Sequence, residues 1–132
     1  MNRGFKNAFL LLAIFQALHS LEEYVFKLWE HLYPARLLSG LVSDDLSFGF
    51  AVINSTIVVL IFWSYLIPLR NNVIWARKVV WFWAVLETLN GVGHIWFGVS
   101  SGGYFPGLYT APFLLLIGVL LIRQLLANRT AA

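Results

Sequence analysis

Histidine and carboxylate side chains recur at helical spacing in two segments of this chain, His19-Ser-Leu-Glu22-Glu23 and Glu87-Thr-Leu-Asn90-Gly-Val-Gly-His94. Imidazole nitrogens and carboxylate oxygens are ligand atoms suited to Zn or non-haem Fe, and the same groups serve as general acids and bases. Three of the six acids (Glu22, Glu23 and Glu87) and two of the three histidines lie in these runs. Their neighbours are mostly Leu, Ile, Phe, Val and Trp, residues that belong in hydrocarbon. A carboxylate at the centre of a membrane helix costs roughly 2.5–3.5 kcal/mol on insertion scales, so such groups face a protected interior and mark a pathway or a reactive site.

The elements that must position these groups follow from composition. Of the 132 residues, 60% are hydrophobic and 11% charged, against about 25% charged in an ordinary soluble domain. This predicts an all-α integral membrane protein in contact with the lipid bilayer, a single domain over residues 1–132. A span needs about 20 residues, so four crossings fit, giving a membrane-spanning four-helix bundle. The spans read as Phe5–Trp29, Phe48–Leu69, Val79–Val99, and a last one from the Pro106-Gly107 turn to Leu126. Glu30–Ser47 is a polar connection with a short interfacial helix over Ala35–Val42. Arg3, Lys6, Arg70, Arg77, Lys78, Arg123 and Arg129 fall on one side, and Lys27 and Arg36 on the other. That asymmetry predicts both termini cytoplasmic, in a plasma or inner membrane. Arg3 and Lys6 ahead of Ala8–Ile14 imitate a signal peptide, but the apolar run resumes after the polar cluster. With no cysteine there is no disulfide and no thiolate ligand or nucleophile. No basic stripe with interleaved aromatics suggests a nucleic-acid partner.

Depth and angle bring the polar groups together. At about 1.5 Å per residue, His19 lies roughly 20 Å above the inner boundary and Glu22 and Glu23 roughly 24–26 Å. Glu87, Asn90 and His94 lie at roughly 12, 17 and 22 Å by the same rise. Asn54 on the second span and Thr110 at the head of the fourth fall near that layer. His19, Glu22 and Glu23 share one face, with Gln16 to its side, and Glu87, Asn90, Gly91, His94 and Gly98 form one stripe at three-to-four spacing.

The predicted chemistry is a metal site in the outer half of the membrane. His19, Glu23, Glu87 and His94 would be its ligands, holding one divalent Zn or Fe or a pair of metals. Glu22, Glu87 and Asn90 are the catalytic candidates, and Asn54, Trp96 and Thr110 the substrate contacts. The metal charge would also compensate the crowded carboxylates. Metal-free acid–base chemistry is the alternative, an isomerase or cyclase of isoprenoid or sterol-like substrates with Trp81, Trp83 and Trp96 stabilising cationic character. A proton- or cation-coupled transporter and a purely structural hydrogen-bond cluster are two more. Glu23 could instead reach out to Lys27 at i+4. His31 reads as a solvated loop residue, and Pro106 and Gly107 as a turn.

The His19-Ser-Leu-Glu22-Glu23 run resembles the signature of the HXXEE family of small integral membrane proteins. Asn90-Gly-Val-Gly-His94 resembles the NxxxH element that accompanies it, and Pro106-Gly107-Leu-Tyr-Thr110-Ala-Pro112 the Gly- and Pro-containing element near the last span. The resemblance covers most of the chain and implies architecture and site position, with no established reaction. The resulting expectation is a metal-dependent membrane enzyme acting on a lipophilic small molecule that enters from the bilayer, with a homodimer completing the pocket.

Overall fold

Residues 5–33 contain neither glycine nor proline, so nothing local interrupts a long first helix. The computed structural model describes residues 1–127, and every regular element among them is helical. The order is α1 (Arg3–Val25), α2 (Leu28–His31), α3 (Tyr33–Val42), α4 (Leu46–Ser64), α5 (Ala76–Ser101) and α6 (Ala111–Ala127), with a π-helical turn, Tyr65–Leu69, continuing α4. Arg129, one of the cations counted above, lies outside the described residues.

Helix α1 begins where Asn2 accepts a hydrogen bond from the Phe5 amide at 2.8 Å, an N-cap that satisfies one of the orphan donors. It stops short of the expected Trp29. Lys27 takes a left-handed conformation (φ 53°), and the chain folds over as α2, burying Leu28 and Trp29 against Phe50 and Phe105. The interfacial helix starts at Tyr33 rather than Ala35, because Pro34 suits a first helical turn. Asp45 caps α4 by accepting from the amides of Ser47 (3.0 Å) and Phe48 (3.2 Å). At the other end Pro68 sits in the π-helical turn, where Arg70 N bonds to Tyr65 O at 2.9 Å. That wider loop accommodates a residue with no amide proton.

Phe5, Phe9, Leu12 and Ala13 of α1 pack with Ile61 and Leu69, with Val80, Trp83 and Ala84 of α5, and with Leu114, Ile117, Leu121 and Leu125 of α6. Helices α1 and α5 therefore run opposite to α4 and α6. Between this cluster and the one around Trp29 and Phe50 lies a polar layer. Helix α6 can approach α5 closely because Gly91 has no side chain; a Cβ there would lie 2.7 Å from the Ala111 carbonyl oxygen. Two helices, Arg3–Val25 and Leu46–Leu69, are long and apolar enough to cross a membrane, and the 17-residue α6 is shorter.

Candidate metal centre

The i, i+4 spacing in α1 stacks His19 above Glu23, and the buried stripe of α5 carries Glu87, Gly91, His94 and Gly98. Where the two faces meet, Glu23 Oε1 lies 3.3 Å from His19 Nε2 and 3.1 Å from His94 Nε2. One ligand atom from each of the three residues falls within 4.8 Å of the others. All three side chains are buried, His19 completely. The imidazoles meet edge to face, with centroids 4.6 Å apart. Lys27 does not compete for Glu23; it pairs with Glu30 at 3.4 Å in solvent.

Hydrogen-bond accounting fixes which ring nitrogens carry protons. His94 Nδ1 lies 2.6 Å from the Pro106 carbonyl oxygen; a carbonyl only accepts, so Nδ1 donates. Glu22 accepts four hydrogen bonds. At Oε1 they come from the Tyr104 hydroxyl (2.7 Å) and the Tyr109 amide (3.0 Å), and at Oε2 from the Thr110 amide (3.0 Å) and hydroxyl (2.6 Å). These amides stand at the head of α6, where a carboxylate also complements the helix dipole. Thr110 has spent its one proton on Glu22, so its oxygen accepts from His19 Nδ1 at 2.6 Å. Partial burial and the neighbouring Glu22 carboxylate hold the Tyr104 phenol above its ordinary range, so it remains a donor.

With Nδ1 donating on both rings, Nε2 of each imidazole faces Glu23 Oε1, and on a ring without a second proton it does so with its lone pair. His19 Nε2 makes no hydrogen bond despite being within 3.3 Å of that oxygen. Three electron-rich atoms held this close need positive charge among them, from a metal ion or from protons on the rings. Metal–ligand bonds of about 2.0–2.2 Å in a tetrahedral site put neighbouring ligand atoms roughly 3.3–3.6 Å apart, close to the two His–Glu23 spacings.

A family described as protein of unknown function with HXXEE motif matches residues 10–122. The chain belongs to the HXXEE family. No curated protein matches it, and no solved structure does. In this member the motif is His19-Ser-Leu-Glu22-Glu23. Its first and last residues converge on His94, while Glu22 turns the other way to tie down the head of α6.

The remaining candidates divide between the centre, an adjoining cavity and the outside. Glu87, 1% exposed, is not among the converging ligand atoms; it borders a cavity of about 460 Å³ together with Gln16, Glu23, Asn54 and Asn90. Asn90 Nδ2 donates to Glu87 Oε2, and Asn54 Nδ2 to Glu23 Oε2, both at 3.4 Å. Thr110 touches His19 and Glu22 and is not part of the cavity wall. Trp96 is 67% exposed on the outer side of α5, and Trp83 belongs to the opposite core, donating to Ser64 at 2.9 Å. Sequence reasoning read Pro106 and Gly107 as a turn and missed their contact with the two histidines. Pro106 receives the His94 proton, and Gly107 (φ 91°) lies so near both rings that a Cβ would come 2.5 Å from His94 Nδ1 and 2.7 Å from His19 Cε1. The Pro-Gly pair was the available signal, because it marks a backbone position that tolerates no side chain.

Proposed function

We propose that this HXXEE protein is an integral membrane enzyme of four crossings with both termini cytoplasmic, in which His19, Glu23 and His94 hold a divalent Zn or Fe ion and act on a lipophilic small molecule. The membrane part is supported by the two apolar helices and by the outer surface, where Leu21, Leu41, Val59, Phe82 and Leu116 stand exposed. The orientation is supported at the end where α1 begins. There Lys6 donates to the Arg70 carbonyl oxygen at 3.0 Å and Arg77 to that of Leu125, so the cation-rich segments share one end.

The observation that carries the enzymatic part is the pair of Nε2 atoms facing one Glu23 oxygen. Two histidines and one carboxylate are the ligand set of catalytic zinc and of non-haem iron sites that keep open positions. A cation bound there would supply Lewis-acid chemistry, with hydrolysis as its default. Asn54 holds the second Glu23 oxygen and so orients the first. Glu87, steadied by Asn90, faces the cavity where it can give or take a proton.

Elemental analysis of detergent-purified protein tests this. About one equivalent of Zn or Fe per chain is expected, lost in His19→Ala and in His94→Ala. Folded wild-type protein that takes up no metal when either ion is supplied would overturn the proposal, and would assign the positive charge to the imidazoles and the chemistry to metal-free proton transfer.

A further inference from the structure

One hydrogen-bond chain has a fixed direction, and it ends on a buried acceptor that has no donor. Glu23 Oε2 accepts from Asn54 Nδ2 at 3.4 Å, which turns the Asn54 amide oxygen toward the Ser20 hydroxyl 3.5 Å away. Ser20, having donated to Asn54, accepts from Gln16 Nε2 at 3.1 Å. The reverse direction would set an amide oxygen against a carboxylate. Gln16 Oε1 is therefore left as an acceptor. It is buried in a side chain only 3% exposed, has no hydrogen-bond partner, and belongs to a residue in the wall of the 460 Å³ cavity. A buried acceptor without a donor is destabilising, so a ligand that brings one gains selectivity.

The rest of the wall describes that ligand's body. Leu28, Leu38, Phe50, Ile53, Ile57 and Leu89 are apolar, and Leu38 and Leu89 are more than half exposed at the rim. A volume of this size falls within the roughly 300–1,000 Å³ of small-molecule sites. The carboxyls of Glu23 and Glu87 in the same wall oppose an anionic headgroup. We infer that the cavity takes a lipophile with a non-anionic, hydroxyl-type headgroup that donates to Gln16 Oε1, making Gln16 a specificity-determining residue. This rests on the cavity being the substrate chamber of the proposed metal centre. Gln16 lies roughly 4–11 Å along α1 from His19 and Glu23, so the recognised group and the reacting group are separate parts of one molecule.

Wild-type protein and Gln16→Met in lipid nanodiscs are photolabelled with a diazirine derivative of cetyl alcohol, in competition with unlabelled cetyl alcohol or cetyl methyl ether. Metal content is measured on the same samples. The alcohol is expected to compete about tenfold better than the ether in the wild type, and about equally in Gln16→Met, with metal unchanged between them. Equal competition in the wild type, as a trapped water on Gln16 would produce, overturns the ligand assignment and leaves the metal centre standing. A preference that survives Gln16→Met overturns the role of Gln16. A preference in wild type that takes up neither Zn nor Fe when supplied supports the ligand assignment and overturns the metal centre instead.

Discussion

A threonine hydroxyl has one proton to give, and Thr110 gives it to Glu22 while accepting from His19. Through that oxygen the orientation of the His19 imidazole, a ligand in the proposed metal centre, depends on the Glu22 carboxylate, the kind of outer support whose loss typically weakens metal binding 10–100-fold. Thr110→Val should therefore raise the metal dissociation constant by about that factor, measured by chelator competition, whereas Thr110→Ser, which keeps the hydroxyl, should stay near the wild type. Residue spacing made part of this site legible. His19, Glu23 and His94 follow from i, i+4 geometry within one helix and matching depth between two. Depth also set Thr110 near this layer, but its hydrogen bonds to His19 and Glu22 do not follow from spacing, because they join residues 91 and 88 positions apart. Sequence also grouped Glu87 with the ligands; it lies in the same cavity wall as Glu23 but outside the group of three atoms within 4.8 Å, a detail of helix rotation that no local pattern encodes.

The segment between α5 and α6 behaves as a strap drawn across the end of α1. Glu22 gathers the Tyr104 hydroxyl, two amides and the Thr110 hydroxyl. In Glu22→Gln the amide nitrogen would face donors, leaving at least one unsatisfied, at a cost of about 1–3 kcal/mol. Chemical denaturation in detergent should register that loss, and limited proteolysis should then cut residues 102–109 faster than in the wild type. At this scale the helices themselves were readable from apolar runs and from Pro34, Pro68 and Pro106. The break after α1 was not. Lys27 adopts a left-handed conformation with no glycine to announce it, and the fold-over follows from burying Leu28 and Trp29, a tertiary gain that overrides local preference.

Across the whole molecule the arrangement places the Asn71 turn at the end shared with Lys6, and the α3–α4 junction and the strap at the other. The chain contains no cysteine, so single substitutions report topology without background. Asn71→Cys should react with an impermeant maleimide only after cells are opened, and Ser43→Cys and Gly103→Cys in intact cells. The opposite pattern would invert the orientation proposed from charge. Composition made the apolar exterior readable in advance, and the exposed Leu, Val and Phe side chains of α1, α4, α5 and α6 are where it appears.

The four bonds to Glu22 reach across 82 to 88 positions of the chain. During synthesis, the donors that satisfy this carboxylate emerge more than eighty residues after it. Until then Glu22 has none of these donors, and in the proposed membrane setting the insertion machinery would have to shelter it or let it rest near the headgroups. The final seating of α1 is thus governed by the arrival of residues 104–110, which ties closure of the polar layer to the synthesis of that segment.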